Sequence, residues 1–149
     1  LTAHKEAEHY KSKFKLKLNE RYVTTFAEWK SAYAEMQGQV DMLIVNNNSG
    51  IKDWDGPAAK EWVLANTTIP TGSTSGWMTD YIIFGYGKVP QEQGEWAASR
   101  ALEILGGKSP ASIPITTNKK GNLALFPKLA AKAGIKIPLS MLKVAKITK

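Results

Sequence analysis

A nearly continuous apolar run, Val40 to Val45, constrains the fold more than any other feature of the sequence. A run of this length is typical of a strand covered by helices on both faces, which occurs mainly in parallel sheets. Parallel strands need long crossover connections, and an amphipathic helix pattern directly precedes this run. The sequence therefore predicts an α/β fold with three layers, helix/sheet/helix, around a mainly parallel sheet.

The helix before the run has recognisable start and stop signals. Thr25 and Glu28 have the spacing of a capping box, in which each side chain accepts a hydrogen bond from the other residue's backbone N–H. Gly38 is placed where a glycine ends a helix. The apolar face between them is formed by Phe26, Trp29, Tyr33 and Met36. This face is expected to pack in the core.

The remaining elements are read from turn residues and apolar periods. Further helices are predicted at 3–14, after Asp55 with Pro57 at the first helical position, from Pro90 to Gly106, and after Pro127. Further strands are predicted at 16–23, 69–72, 81–86, 113–116 and 123–126. Alternating strands and helices over 149 residues are typical of one α/β domain.

The net charge of +7 does not predict a nucleic-acid partner, because of where the charge lies. All 13 acidic residues and 11 of the 20 basic residues precede Gly107, so the excess comes from nine lysines in the last part of the chain. Those lysines stand singly among apolar residues, without arginine and without an aromatic platform for base stacking. We expect a solvated lysine surface.

Catalytic, metal and cofactor signatures are weak. His4 and His9 lie five residues apart on one predicted helix, which puts them on different faces and predicts no metal site. Asp53 and Asp55 precede a helix, where Asp commonly caps or turns the backbone. The glycines near Gly85 match neither a P-loop nor a dinucleotide fingerprint, and the chain has no cysteine. No catalytic residue and no cofactor are predicted, and the chain is not expected to be an enzyme.

Polar side chains follow three predicted strands, where ligands bind in open α/β sheets. They are Thr24 with Thr25, the run 46–49, and the run 73–80 that carries Trp77. Hydroxyls and amides both donate and accept, the indole offers a flat apolar wall, and a helix starting near Thr25 would present free N–H groups. These features suit a small polar or zwitterionic solute, whereas caps and turns alone would also use such residues. Spacing leaves both interpretations open.

Four passages resemble the family of ABC-transporter substrate-binding proteins with a type I periplasmic-binding fold. They are VDMLIVNNNSG, IPTGSTSGWM, YIIFGYGKVPQEQGEWAASRALEILGGKSPASIPI and LAAKAGIKIPLSML. The third is similar to the family's strand, helix and exit, and the fourth to its ending. The second departs from the family, because an acidic residue that could meet an ammonium group is replaced within 73–76. This departure argues against an amino-acid ligand.

The resemblance implies a bilobed protein, periplasmic or on the extracellular face of the membrane, in some relatives a lipoprotein. Such a protein closes on a small polar molecule, in some relatives an amino acid, and delivers it to an ABC permease without making or breaking a bond. Residues 1–149 would be the second, C-terminal lobe, with 81–107 belonging to the sheet of an otherwise missing first lobe. The matching loops put these residues at the ligand: Thr24, Thr25, Asn47, Asn48, Ser49, Ser73 and Trp77, with Asp80 as the nearest substitute for the missing acid.

The absence of a first lobe would leave apolar surface around Trp96 and Leu105 without its neighbours. We expect a homodimer or a domain swap of the chain to cover this surface. A sensory or regulatory ligand-binding domain of the same fold stays open as the alternative function, because fold alone does not separate transport from sensing.

Overall fold

The computed structural model describes residues 2–149, which contain a five-stranded sheet. The strands are β1 (Leu43–Ile44), β2 (Thr71–Ser73), β3 (Phe84–Lys88), β4 (Gly121–Leu125) and β5 (Lys146–Ile147). They lie side by side in chain order, and all neighbours are parallel except β3 and β4. Helices lie on both faces of the sheet. The predicted three-layer α/β fold with a mainly parallel sheet is confirmed.

Helices connect most of the strands. They are α1 (Thr2–Phe14), α2 (Phe26–Gln37), α3 (Gly56–Asn66), α4 (Pro90–Leu105), α5 (Pro127–Lys132) and α6 (Leu139–Leu142), with 3₁₀ turns at Gly76–Met78 and Pro110–Ser112. None of the helices in residues 2–149 is both long and apolar enough to cross a membrane.

The start of α2 confirms the predicted capping box. Thr25 Oγ1 accepts a hydrogen bond from the backbone N–H of Glu28 at 3.2 Å. The Glu28 carboxylate accepts from the N–H of Thr25 at 3.2 Å and of Thr24 at 2.9 Å. The helix ends at Gly38, whose N–H bonds back to the last turn. These bonds satisfy backbone groups that a helix end otherwise leaves without partners.

The core lies between the sheet and the helices that pack on it. Its largest fully buried side chains are Phe126, Met78, Ile82, Ile83, Leu125, Leu129, Val63 and Thr71. From α2, Trp29, Tyr33 and Met36 are buried, as the helical spacing predicts. The Tyr33 hydroxyl is 2.8 Å from Thr67 Oγ1, so the polar end of this buried ring has a partner. Burial also raises the pKa of Tyr33.

Two of the predicted strands are absent from the described residues. Segments 16–23 and 113–116 form no regular element and pair with no strand of the sheet. Leu16 is 46% exposed and Ile115 is fully exposed. From the first segment, Val23 is partly buried against the core. Alternating apolar residues specify an extended backbone, but a strand also needs a neighbouring strand with free N–H and C=O groups in register.

The chain leaves the sheet at the end of β3 and returns at the start of β4. Lys88 and Gly121 are paired in the antiparallel β3–β4 ladder, so both ends of this excursion lie at the same edge of the sheet. We name residues 89–120, which include α4, the α4 arm. No residue of the arm is buried. Within the predicted first-lobe range 81–107, Ile82 and Ile83 are in the core and β3 is inside the sheet, so the unburied part begins at Val89.

Candidate functional site

The carboxyl ends of β1, β2 and β3 lie at one edge of the sheet, because these three strands are parallel. We name this the carboxyl edge. The loops after β1 and β2 begin there, and the α4 arm leaves and returns there. Ligands of open α/β sheets bind at such an edge, in the crevice that the loops form.

A cavity of about 530 Å³ lies between the predicted Thr24–Thr25 loop and residues that follow the predicted run 46–49, and no residue of that run lines it. It is lined by Thr24, Thr25, Gly50, Lys52 and Asp53, and we name it the Thr24–Asp53 cavity. Sequence reasoning placed Thr24 and Thr25 at a ligand but missed the other three residues. The sequence predicts Asp53 to cap a helix or turn the backbone, and no motif around Lys52 predicts a ligand contact. Only the folded loop after β1 brings these side chains beside the two threonines.

Two of the first three N–H groups of α2 are already bonded within the chain. Asp53 Oδ1 accepts a hydrogen bond from the N–H of Phe26 at 2.8 Å, and Thr25 Oγ1 takes the N–H of Glu28. The N–H groups of Thr24 and Thr25 lower the pKa of the Glu28 carboxyl by bonding to it. Side chains of the chain itself therefore take two of the first three N–H groups of α2, and the predicted anion contact stays a prediction at the N–H of Ala27.

The run after β1 is a folded turn whose amides are partly used. Asn47 Oδ1 accepts from the N–H of Ser49 at 3.0 Å, and the Asn48 carbonyl accepts from the N–H of Ile51 at 3.0 Å. Asn47 and Ser49 are exposed and Asn48 is half-buried. The amide of Asn48 makes no hydrogen bond to another described residue, and it stays available to a ligand.

The run after β2 places one indole ring in solvent. Ser73 is buried at the end of β2, and its Oγ accepts from the N–H of Ser75 at 3.1 Å. Trp77 is 62% exposed, while the adjacent Met78 is fully buried and anchors the turn. A Cβ on Gly87 of β3 would lie 3.2 Å from the Cα of Gly76, so this glycine lets the turn approach the sheet closely. The turn therefore holds the Trp77 ring at the carboxyl edge.

Asp80 is already paired. Its Oδ1 lies 2.7 Å from Lys60 Nζ of α3, and both side chains are partly exposed. Asp80 was the nearest sequence substitute for the acid missing from 73–76. In the folded chain its charge is balanced by Lys60, which leaves less negative charge for a solute.

Two other groupings lie away from the carboxyl edge loops. A cavity of about 550 Å³ lies inside the α4 arm, between α4 and residues 110–118, and its lining includes Trp96 and Arg100. Near the other end of the chain, atoms of His4, Glu8 and Glu20 that could hold a metal lie within 4.8 Å of one another. Sequence reasoning missed this grouping because Glu20 comes from outside the helix. Glu20 already accepts hydrogen bonds from His4 and Tyr22.

The residues 1–149 match the model of the family described as ABC transporter substrate binding protein. The chain belongs to this family. No curated protein matches it. The match confirms the resemblance that the four sequence passages carry, and it assigns no residue of the Thr24–Asp53 cavity to a ligand.

Solved structures with the same fold include a conserved domain protein from Vibrio cholerae, with 21% identity and a TM-score of 0.69 over 99% of this chain and 50% of that one. A ligand-free, open substrate-binding protein with adhesive properties from Clostridium difficile has 20% identity and a TM-score of 0.70, over 96% and 48%. The ABC domain from Streptococcus pneumonia, in complex with L-Trp, has 22% identity and a TM-score of 0.62, over 99% and 51%. The chain thus spans about half the length of these solved structures.

Proposed function

We propose that the chain is the C-terminal lobe of a solute-binding component of an ABC transporter, which captures a small polar molecule and delivers it to a membrane permease. The supporting observation is the carboxyl edge, where hydroxyl, amide and indole groups of three loops collect on one side of the sheet. Rigid strands hold these loops, as a binding site requires. Capture works by closure of two lobes, which expels water and orders the hinge without breaking a bond.

The ligand groups of this lobe form two sets. One set is Thr24 and Thr25 in the Thr24–Asp53 cavity together with the turn 47–49 after β1, and the other is the turn with Ser73 and Trp77 after β2. Hydroxyls and amides can donate and accept without imposing a charge. An exposed indole adds a flat surface for the apolar part of the solute. A small molecule with one flat face and several polar groups fits this combination.

A first lobe supplies the other half of the cleft in this proposal. The α4 arm leaves the sheet at the carboxyl edge, carries no buried residue, and returns to the same edge. A helix with exposed Leu102 and Leu105 needs a partner surface, and the solved structures contain as much chain again. We therefore narrow the first-lobe assignment from 81–107 to the α4 arm. Proteins of this class work on the periplasmic or extracellular side of the membrane, and we propose the same location here.

When the chain is alone, the face of the α4 arm that includes Trp96 and Leu105 has no first lobe to cover it. A second copy of the chain can cover this face, either as a homodimer or by swapping the arm. Swapping the arm between two copies requires little free energy, because each copy then forms contacts that the longer protein forms internally.

The test joins the chain to a first lobe and follows thermal melting against a library of amino acids, nucleosides, sugars and small organic anions. A solute at 100 times its Kd stabilises the folded protein by about 2.7 kcal/mol. The melting temperature should then rise by several degrees for a protein of this size. Asn48→Ala and Trp77→Ala should each reduce the shift, whereas Asn19→Ala, an exposed amide outside the edge, should leave it unchanged.

Two results would contradict the proposal. A shift that survives both Asn48→Ala and Trp77→Ala would place the solute elsewhere. If no compound shifts melting while an isolated kinase or permease domain does, the fold serves as a sensory or interaction module and not as a solute carrier.

A further inference from the structure

The part of the α4 arm that follows its helix is held at both ends but has no backbone partner in between. At its start, the N–H of Ile113 closes a 3₁₀ turn with a bond of 3.1 Å. At its end, the Glu92 carboxylate accepts the N–H groups of Lys119 and Lys120. Between these two points, no main-chain N–H or C=O of residues 114–118 bonds to a residue that the structure describes. This stretch therefore lies beside α4 with its backbone unpaired.

The sequence of the stretch favours a strand. Ile113, Ile115, Thr116 and Thr117 are β-branched, a type of side chain that packs well on a pleated sheet. Residues 114–120 contain no helix, turn or bend, and Ile115 is fully exposed. Protein can cover this isoleucine only where the N–H and C=O groups beside it also find partners. A neighbouring strand supplies both kinds of partner at once.

Pro114 determines which edge of the stretch can pair. Successive N–H groups of a strand point to opposite edges, and proline has no N–H. In sheets, proline occurs mainly on edge strands, with its N–H side facing solvent. The edge that carries Pro114 and Thr116 therefore faces solvent. The opposite edge carries Ile115 and Thr117, whose N–H and C=O groups are complete and unpaired, and we name it the Ile115–Thr117 edge.

Helix α4 lies beside the stretch in the way that a helix precedes its strand in an α/β sheet. The cavity of about 550 Å³ between them is lined by apolar side chains of both, among them Trp96 and Ile113. Leu102 and Leu105 of α4 are 70% and 83% exposed. A helix and a following strand bury such side chains when the helix packs on the face of the sheet that the strand joins. The arm has both parts of this unit without the sheet.

We propose that the Ile115–Thr117 edge pairs with the edge strand of the first lobe's sheet, so that residues 113–117 become the outermost strand of that sheet and α4 packs on its face. This proposal rests on the proposed function, which assigns the α4 arm to a first lobe. Addition of an extended segment to an exposed sheet edge is a common mode of recognition, in which main-chain hydrogen bonds supply affinity. Pro114 then stops the sheet from growing beyond this strand.

The experiment measures amide hydrogen exchange by NMR in the chain joined to a first lobe and in the chain alone. In the joined protein, the amides of Ile115 and Thr117 should exchange about a hundredfold more slowly than in the chain alone, because exchange then requires local opening of the sheet. The amide of Thr116 between them should exchange at the same rate in both proteins. Protection of alternate amides is specific to strand pairing, since cover by side chains alone does not distinguish neighbouring N–H groups.

Two proline variants of the joined protein form a matched pair. Ile115→Pro removes a donor from the paired edge and should return the Thr117 amide to the fast exchange of the chain alone. Thr116→Pro removes a donor from the solvent edge and should leave Thr117 protected. Neither side chain is buried, so the amide signals of the body should show that both variants fold.

The outcomes separate this proposal from the proposed function. Equal protection of Thr116 and its neighbours, or protection of none of them, would overturn the strand pairing even if the solute library gives hits, and solute capture would stand. Alternating protection in the chain alone, growing with its concentration, would assign the edge to a second copy and overturn the first-lobe assignment. Alternating protection in the joined protein only, together with a library that gives no hit, would support the pairing and reject the carrier.

Discussion

The body of the sheet and the α4 arm both carry large apolar side chains, but the body buries them and the arm exposes them to solvent. In the body, Phe126 and Leu129 are completely buried. In the arm, Leu105 is 83% exposed and Ile115 fully exposed. Helix α4 still begins at Pro90 and ends at Gly106, as its local signals predict. Local signals therefore suffice to specify a helix, whereas burial depends on neighbours that this arm lacks within the described residues.

The largest expected effect comes from making the same substitution in both regions. Leu129→Ala should cost about 2–5 kcal/mol of unfolding free energy, because it leaves a cavity among well-packed side chains. Leu105→Ala should change stability by about 0.5 kcal/mol or less, as exposed positions usually do. Urea unfolding of the two variants measures both values. Equal losses of unfolding free energy would show that the arm packs on the body in solution, and would contradict the difference in burial between them.

A smaller effect is expected in self-association, which the exposed arm should support. Light scattering at rising concentration should show dimers of the chain alone. Leu105→Lys should raise the dimer's dissociation constant about tenfold or more, since burying one leucine is worth roughly 1.5–3 kcal/mol. Leu139→Lys, an equally simple change at an exposed leucine of α6, should have no effect. A monomer at the highest concentration would contradict the proposed second copy.

The fold could be predicted from the sequence wherever the signal is local. Thr25 with Glu28 and Pro57 after Asp55 determine backbone hydrogen bonds within one turn, and the helices begin where they predict. Segment 16–23 could not be predicted correctly, because its alternation says nothing about whether a partner strand is in register. Its side chains contact helices instead, as Arg21 does in its ion pair with Glu35.

The candidate site was predictable as a set of loops but not as a set of charges. Parallel strands bring the loops after β1 and β2 to one edge, so the sequence pointed to the right edge of the sheet. It did not reveal that Asp53 reaches across 27 residues to cap α2, or that Lys60 neutralises Asp80. Both pairings arise from helix placement. They determine where two of the acidic side chains lie, and neither is a neighbour in the sequence of its partner.

The smallest expected effect concerns a bond within the arm. Glu92 accepts the N–H groups of Lys119 and Lys120, each at 2.9 Å. These bonds join the first turn of α4 to the last residues of the arm. The N–H of Lys120, followed by that of Lys119, holds the pKa of the Glu92 carboxyl below its ordinary value. Because the folded pKa is lowered, these bonds are fully present above the ordinary glutamate pKa and are lost as the pH falls through the lowered one.

NMR should therefore show the amide signals of Lys119 and Lys120 titrating with a midpoint below that of an ordinary glutamate. Glu92→Gln should abolish this titration, and Glu95→Gln on the same helix should preserve it. A midpoint at or above the ordinary value would show that these bonds do not form. The urea midpoint for unfolding of the body should not change with pH along this titration curve, since the arm contributes no buried residue to the core. If it did, arm and body would unfold as one unit, and the contrast between them would be a matter of exposure alone.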